Sequence, residues 1–195
     1  MGVRAVFLVG FMGSGKNTVG QELACRLGWD FVDLDAQIER RECQSIPEIF
    51  RLRGERAFRM AETAALSDFL TNSFRQNSVV ALGGGAFAEQ RNRALLGPWP
   101  TVFLDAPADE LWRRCQQDGR ERPLRNDRDE FARLYGERLP FYREASLVIE
   151  TQDQERASIC AKIESALRLR DASEDDASNS GELSGHGPAT PSSST

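Results

Sequence analysis

The amino-acid sequence predicts an α/β protein, a three-layer sandwich in which a five-stranded parallel sheet has helices on both faces. Three observations support this fold class. Short apolar segments alternate with segments of helical periodicity throughout residues 1–170, the apolar segments are hydrophobic at nearly every position, and the links between them are short. Strands buried on both faces have such continuous apolar runs, and strand–helix alternation gives a parallel sheet. We therefore predict one domain over residues 1–170.

The predicted elements follow one another in regular order. Strands are predicted at about 4–9, 31–34, 78–82, 101–105 and 146–150. Helices are predicted at 16–27, 36–43, 46–73, near 88–96, 108–117, 129–140 and 153–169. Residues 118–128 contain four arginines, a glycine and a proline but no apolar pattern, which predicts a mobile, cationic lid.

The charge distribution argues against nucleic acid and membrane partners. The net charge of the 195-residue chain is −5. Five acidic residues and no basic ones lie in residues 171–195, so the rest of the chain has equal numbers of acidic and basic residues. A neutral body gives no electrostatic case for binding nucleic acid or a membrane surface. The Ser/Gly/Asp/Pro-rich segment 171–195 is itself predicted to be a disordered acidic tail.

Cysteine and histidine content narrows the chemistry. The four cysteines are scattered without metal-binding spacing, which predicts thiols in a reducing compartment. The one histidine, His186, lies in the predicted tail, so histidine-based catalysis is not expected in the folded part. The sequence has no apolar run long enough to cross a membrane and no signal-peptide pattern. We therefore predict a cytoplasmic protein.

A glycine-rich loop follows the first predicted strand and opens the first predicted helix. It reads Gly10-Phe11-Met12-Gly13-Ser14-Gly15-Lys16-Asn17-Thr18. This is the phosphate-binding P-loop pattern with one departure. Backbone amides of such a loop surround a phosphate, the helix N-terminus adds partial positive charge, and Lys16 can follow the β- and γ-phosphates. Lys16 is one of only two lysines in the chain, against 23 arginines.

Asn17 is the departure, because the pattern has Ser or Thr at this position to bind Mg²⁺. The Asn17 carbonyl oxygen is a ligand that Mg²⁺ accepts, but it sits on a longer arm beside an amide nitrogen. Thr18 points about 100° away around the helix and cannot take its place. Two interpretations stay open: Asn17 retains the metal, or Asn17 impairs metal binding.

Two clusters fall where strands are predicted to end, and ligands of open parallel sheets gather at such ends. Asp33 and Asp35 close the second predicted strand. Because they are two positions apart in an extended strand, both carboxylates are expected on the same side. One could hold Mg²⁺ through water and the other could accept a proton or bind a hydroxyl, whereas Asp35 could instead cap the next helix. Gly83-Gly84-Gly85 ends the third strand and allows close approach of a ligand to the backbone, or is a plain turn.

Three arginines are candidate anion-binding residues. Arg59 and Glu62 are three positions apart on a predicted helix and could pair, which would fix the guanidinium for a carboxylate. A solvated surface ion pair has the same spacing. Arg122 lies in the predicted lid, and Arg138 lies just before Pro140. Because arginine is so frequent in this chain, neither of the latter two is convincing alone.

Together these segments resemble the shikimate kinase family, in order and at the expected spacing over residues 4–151. The matching signatures are residues 10–16, Phe31-Val32-Asp33-Leu34-Asp35 with Ile38-Glu39, Gly54-Glu55 with Phe58-Arg59 and Glu62, Leu82-Gly83-Gly84-Gly85, Arg122-Pro123-Leu124, and Arg138 with Pro140 and Tyr142. The resemblance implies a nucleoside-monophosphate-kinase-like fold, a P-loop kinase with a mobile lid. It implies ATP-dependent phosphorylation of the shikimate 3-hydroxyl in aromatic amino acid biosynthesis, by a monomer.

The resemblance also assigns a role to each candidate residue of the acceptor side. It implies that shikimate is held by Asp35, Arg59, Gly83, Gly84, Gly85 and Arg138. Arg59 and Arg138 would face the shikimate carboxylate. Asp35 would orient the attacking hydroxyl and accept its proton.

On the nucleotide side, the resemblance implies that ATP is bound by Gly13, Ser14, Gly15, Lys16, Asn17, Thr18 and Arg122. Lys16 and Arg122 would neutralise charge on the transferring phosphoryl group. Asn17 stands at the direct Mg²⁺ ligand position, and Asp33 would bind the metal through water. The adenine side departs from the family pattern, so that Arg113, Arg114 and Arg156 are all candidates there.

Three other functions are weighed against this one. A kinase of another small polyol acid, such as gluconate, would use the same fold and the same anion-binding arginines. A non-catalytic nucleotide-binding protein would result if Asn17 abolished metal-dependent transfer. A GTPase is less consistent with the sequence, because no Asn-Lys-x-Asp guanine motif is present.

Overall fold

The structure is a computed structural model that describes residues 3–72, 77–117 and 127–169. Its centre is a parallel sheet of five strands. These are β1 (Ala5–Val9), β2 (Asp30–Asp33), β3 (Ser78–Ala81), β4 (Thr101–Asp105) and β5 (Leu147–Glu150). The strands lie in the order β2-β3-β1-β4-β5, and each neighbouring pair is parallel. The predicted five-stranded parallel sheet is confirmed.

Helices connect the strands. They are α1 (Lys16–Leu27), α2 (Leu34–Glu42), α3 (Ile46–Asn72), α4 (Gln90–Leu96), α5 (Ala108–Gln117), α6 (Arg128–Tyr142) and α7 (Arg156–Leu167), with a short 3₁₀ turn at Ala86–Ala88. The predicted long third helix is in fact two segments, because Gly54 is non-helical, with φ 79° and ψ 171°. α7 begins at Arg156 rather than at residue 153, where the chain has a positive φ of 53° at Asp153.

Two hydrophobic cores, one on each face of the sheet, make the three layers. Side chains of β1 alternate between them, and none of its five residues is more than 1% exposed. One core receives residues of α1 and α7, such as Leu23 and Ile163. The other receives residues of α2 to α6, such as Leu66 and Phe131. Because neighbouring strands are parallel, the carboxyl ends of β1, β2 and β3 lie at one edge of the sheet.

Some predictions fall outside the described residues. Residues 118–126 of the predicted lid, with Arg122, and the predicted tail 171–195 are among them, and the domain boundary at residue 170 stays a prediction. Within residues 3–72, 77–117 and 127–169, no helix has the length and the apolar character required to span a bilayer.

Candidate active site

The loop between β1 and α1 has the backbone conformation of a phosphate-binding loop. Gly13 and Gly15 have φ values of 82° and 87°, in the left-handed region that favours glycine. A Cβ on Gly13 would lie 2.7 Å from the carbonyl oxygen of Leu111, so a side chain is also excluded sterically. Gly15 is the N-cap of α1, and no side chain of the described residues caps this helix at that position. The first amides of α1 therefore face the loop as an anion-binding N-terminus.

Lys16 is folded over this loop. Its Nζ donates hydrogen bonds to the carbonyl oxygens of Gly10 at 2.7 Å and Phe11 at 3.0 Å, and lies 3.5 Å from the Ser14 hydroxyl. The ammonium group is thus held at the loop that the sequence pattern assigns to phosphate. An anion in the loop would compete with these two carbonyls for the lysine charge.

Asn17 and Asp33 connect the start of α1 to the end of β2. The Asn17 amide nitrogen donates to Asp33 Oδ2 at 2.5 Å. Asp33 Oδ1 accepts hydrogen bonds from the backbone amides of Asp35 at 3.0 Å and Ala36 at 3.3 Å. Asp33 is therefore the N-cap of α2.

The prediction that both aspartates end the strand was wrong for Asp35. β2 ends at Asp33, and Asp35 lies in the first turn of α2, which begins at Leu34. The alternative that Asp35 caps this helix was also wrong, since Asp33 does so. The physical reason is that an aspartate at the strand end satisfies the first amides of a helix that starts at once.

Arg59 and Glu62 form a buried ion pair rather than a solvated one. Arg59 Nη1 lies 2.8 Å from Glu62 Oε2, and the Glu62 side chain is only 1% exposed. A second contact joins Arg59 Nη2 to Glu55 Oε1 at 3.3 Å. This arrangement fixes the guanidinium, as the spacing of residues 59 and 62 predicted.

The glycine run after β3 lies directly against these charged groups. A Cβ on Gly85 would be 2.5 Å from both Nη atoms of Arg59. A Cβ on Gly83 would be 2.5 Å from Asp35 Oδ1 and 3.0 Å from Glu62 Oε1. Side chains at these two positions would occupy the space of the charged groups, so the glycines have a packing role here, and the approach of a ligand to the backbone stays a prediction.

Arg138 joins the pocket from α6. Its guanidinium carbon is 5.6 Å from the centre of the Phe11 ring in the phosphate-binding loop, and a Cβ on Gly84 would lie 3.8 Å from its Nη1. The Tyr142 hydroxyl, one turn further along α6, donates to the carbonyl oxygen of Gly84. Sequence reasoning included Tyr142 only as part of a motif and missed this bond, which holds the glycine run in place.

Two carboxyl oxygens of the pocket are buried without a hydrogen-bond partner among the described residues. They are Asp35 Oδ1 and Glu62 Oε1, and both face Gly83. Burial raises the pKa of Asp35, and the nearby Asp33 carboxylate raises it further. Burial also raises the pKa of Glu62 to about 7, although Arg59 acts in the opposite direction. Because a buried acceptor without a donor costs about 1–3 kcal/mol, this arrangement favours a ligand rich in hydroxyl groups.

The candidates for the adenine side differ in how firmly they are held. Arg114 donates to Glu110 at 2.8 Å and to the carbonyl oxygen of Thr151 at 3.1 Å, at the end of β5. Arg113 also pairs with Glu110, but its side chain is 58% exposed. Arg156 lies 4.0 Å from Glu22 on the surface. Only Arg114 is anchored to the sheet, and the anchoring residue Thr151 was not singled out from the sequence.

Known protein families provide a test of the resemblance that the sequence motifs indicate. The family model for shikimate kinase matches residues 12–168. The chain belongs to the shikimate kinase family. The resemblance stated from the sequence motifs is thereby confirmed, as is the P-loop kinase fold that it implies.

Relatives and solved structures of the family cover most of the chain. The shikimate kinase of Halorhodospira halophila is 46% identical over 168 residues, which span 84% of this chain and 93% of that protein. The Persephonella marina shikimate kinase is 37% identical over 167 residues, spanning 85% and 100%. The structure of Acinetobacter baumannii shikimate kinase in complex with shikimate has a TM-score of 0.77 and 35% identity, covering 86% of this chain and 94% of that one. The Aquifex aeolicus shikimate kinase structure has a TM-score of 0.74 and 33% identity, covering 86% and 98%.

Proposed function

We propose that this chain transfers the γ-phosphoryl group of ATP to the 3-hydroxyl of shikimate, giving shikimate 3-phosphate and ADP for aromatic amino acid biosynthesis. The observation that carries the proposal is the buried pocket of Asp35, Arg59 and Glu62 against the glycine run, next to the phosphate-binding loop. Shikimate has one carboxylate and three hydroxyl groups. The pocket has a fixed guanidinium for the former and, for the latter, two carboxyl oxygens without a partner among residues 3–72, 77–117 and 127–169.

In the proposed complex, Arg59 and Arg138 face the shikimate carboxylate and the residues Gly83-Gly84-Gly85 leave room for its ring. Asp35 accepts a hydrogen bond from the 3-hydroxyl and so orients the oxygen for attack. As the bond from this oxygen to the γ-phosphorus forms, the bond from that phosphorus to the β–γ bridging oxygen breaks, and the hydroxyl proton passes to Asp35. The raised pKa of Asp35 makes it a better proton acceptor than an exposed aspartate.

The phosphate side of the proposed mechanism is electrostatic. Phosphoryl transfer requires in-line positioning and stabilisation of charge more than covalent help. Gly13, Ser14, Gly15 and Thr18 would hold the phosphates with backbone amides and hydroxyls at the start of α1. Lys16 would exchange its two carbonyl partners for phosphate oxygens and neutralise charge in the transition state. Arg122, which lies outside the described residues, is proposed to assist from the lid.

Mg²⁺ is the metal proposed to accompany ATP. The residues fit this ion, because the Asn17 amide and the Asp33 carboxylate lie together and provide hard oxygen donors at the phosphate-binding loop. In the described residues no group of three or more His, Cys, Asp and Glu side chains could hold a metal by itself. This agrees with an ion that binds largely through substrate phosphates. When bound, Mg²⁺ would neutralise charge on the β- and γ-phosphates.

An acceptor panel tests the proposed activity. The rate of ADP release would be measured with Mg²⁺-ATP and either shikimate, quinate or gluconate, against a reaction without acceptor. We expect saturable ADP release with shikimate and little above the blank with the other two acids. A preference for gluconate would instead support the alternative kinase, and ATP binding without turnover on any acceptor would support the non-catalytic alternative. Monomeric state stays an implication of the family resemblance, and cytoplasmic location stays a prediction from the sequence.

A further inference from the structure

We propose that the two terminal atoms of the Asn17 side chain perform separately two functions that the single oxygen of a Ser or Thr hydroxyl would combine: a hydrogen bond to Asp33 and coordination of a metal ion. Its Nδ2 holds Asp33 in position, and its Oδ1 is a direct ligand of the divalent cation that enters with the nucleotide. The inference rests on the proposed function, because it concerns a metal–nucleotide substrate. It resolves the two interpretations of Asn17 in favour of an asparagine that retains the metal.

The orientation of the Asn17 amide follows from its neighbour. One terminal atom of the side chain lies 2.5 Å from Asp33 Oδ2. An ionised carboxylate can only accept hydrogen bonds, so the atom beside it must be the amide nitrogen. The opposite orientation would place two partly negative oxygens in contact. The carbonyl oxygen of Asn17 is therefore the atom directed away from Asp33.

Asp33 is held from two sides by this arrangement. Its Oδ1 accepts the two amides at the start of α2, and its Oδ2 accepts the Asn17 amide. A carboxylate whose two oxygens already accept hydrogen bonds is fixed in orientation and suited to hold a water molecule of a hydrated ion. Mg²⁺ retains several waters when it binds to proteins, which matches this indirect role of Asp33.

The Asn17 carbonyl oxygen has the complementary property. Among the described residues, no group donates a hydrogen bond to Asn17 Oδ1, whereas Nδ2 is committed to Asp33. Amide carbonyls are oxygen ligands of hard cations. A hydroxyl at this position would donate its proton to Asp33 and offer a lone pair of the same oxygen to the metal. The amide separates donor and acceptor, and so can perform both functions.

Three substitutions separate these functions. Asn17→Thr restores an atom that both donates and accepts, and Asn17→Leu keeps a branched side chain of similar size with neither function. Gln21→Leu is the matched control, because it removes an exposed amide one turn further along the same helix. The proposal predicts that Asn17→Leu weakens metal binding at least tenfold, whereas Asn17→Thr and Gln21→Leu change it less than threefold.

The test measures metal binding rather than turnover. Mn²⁺, which accepts the same oxygen donors, is titrated into each protein saturated with ADP, and free Mn²⁺ is quantified by its electron paramagnetic resonance signal. In parallel, the unsubstituted chain and the Asn17→Thr and Gln21→Leu variants are each prepared with ¹³C-labelled asparagine, and ¹³C couplings to the bound Mn²⁺ are measured by pulsed electron–nuclear double resonance. We expect a strong ¹³C coupling in the unsubstituted chain and in the Gln21→Leu variant, and its loss in Asn17→Thr.

The outcomes distinguish this inference from the proposed function. Equal Mn²⁺ affinity of the unsubstituted chain and Asn17→Leu, or absence of the ¹³C coupling, would overturn the role of Asn17 and leave metal-dependent phosphoryl transfer intact. If the ADP-bound unsubstituted chain bound no Mn²⁺, the metal in the proposed function would be wrong as well. Should Asn17→Leu fail to fold, the labelled unsubstituted chain and Asn17→Thr still decide the question.

Discussion

The proposed phosphate side of the site is one continuous segment, residues 10–18, whereas the proposed acceptor pocket is assembled from α2, α3, the glycine run after β3 and α6. The first relies on backbone conformation, with glycines at positive φ and a lysine held by backbone carbonyls. The second relies on buried charge, with a 1%-exposed Glu62 and two carboxyl oxygens that find no hydrogen-bond partner in the part of the chain that the structure describes. In the proposed function, nucleotide binding would therefore depend on the local conformation of one segment, whereas acceptor recognition would depend on how several distant segments pack together.

The largest effect should come from the phosphate side. Lys16→Ala removes the positive charge that is held at the phosphate-binding loop. We expect kcat to fall by about 10³-fold, because the loss of a preorganised donor that stabilises the transition state has an effect of this size. The control is Lys162→Ala, which removes the chain's other lysine, an exposed residue of α7. ADP-release kinetics check both variants. A Lys16→Ala variant as active as the control would refute the assignment of the loop.

The acceptor pocket should respond in a different kinetic constant. Arg59→Lys keeps a positive charge beside Glu62 but loses the planar fork that binds a carboxylate with two hydrogen bonds. We expect the shikimate KM to rise about 10- to 100-fold, a loss of roughly 1.4 to 2.8 kcal/mol, with the ATP KM unchanged. Arg56→Lys, on the same helix but exposed, is the control. An equal rise in the KM values for shikimate and ATP would contradict the assignment of Arg59 to the acceptor pocket alone.

A smaller effect is expected from one added methyl group. Gly85→Ala would place a Cβ 2.5 Å from both Nη atoms of Arg59, and its φ of −101° requires no backbone change. The guanidinium must therefore move, and we expect kcat/KM for shikimate to fall by about tenfold or less, as for other small misplacements of positioning groups. Gly136→Ala is the control, since a Cβ there meets nothing within 4 Å. Unchanged shikimate kinetics in Gly85→Ala would contradict the close approach of the glycine run to Arg59.

Between pH 5 and pH 8, the acceptor pocket should make the free energy of unfolding depend on pH. Glu62 has a pKa of about 7 in the folded protein and 4.5 ordinarily, so the folded state binds a proton that the unfolded state has released. The contribution of this proton to the free energy of unfolding is fully present below about pH 4.5 and is lost as the pH rises through 7. The free energy of unfolding therefore falls over this pH range. The raised pKa of Asp35 acts in the same direction.

Glu62→Gln should reduce the fall in the free energy of unfolding with rising pH by at most about 3 kcal/mol, which is the free energy that corresponds to the difference between the two pKa values of Glu62. Urea unfolding at intervals from pH 5 to pH 8 measures the slope. Glu55→Gln, which removes the exposed partner of Arg59, should keep the original slope. If both variants kept it, the buried carboxyl would not be the source of the pH dependence.

Sequence reasoning named candidate residues for both sides of the proposed site, and the structure brings many of them together. The position and backbone conformation of the loop could be predicted because its glycines, Lys16 and the flanking strand and helix are adjacent in the chain. For the acceptor pocket the sequence predicted the members and the pairing of Arg59 with Glu62. It did not predict that Glu62 is buried, because burial depends on how α3 packs, nor that the Tyr142 hydroxyl holds Gly84, because these residues are far apart in sequence.

Local chemistry explains the remaining differences. The break at Gly54 was hidden within a continuous helical pattern, and only a left-handed φ of 79° reveals that the glycine interrupts it. The role of Asp33 as a helix cap could not be separated from that of Asp35, since both follow the same apolar run. The hydrogen bond between Asn17 and Asp33 joins two segments that are separate in sequence, so the sequence alone left both interpretations of Asn17 open.

The most direct test of the central claim identifies the product. Shikimate would be incubated with Mg²⁺-ATP and the chain, and the product would be analysed by ³¹P–¹H correlation spectroscopy. The account predicts a phosphomonoester correlated with the proton on C3 of the shikimate ring, because Asp35 orients that hydroxyl toward the loop that holds ATP. A phosphate on another ring hydroxyl, or inorganic phosphate alone, would contradict it.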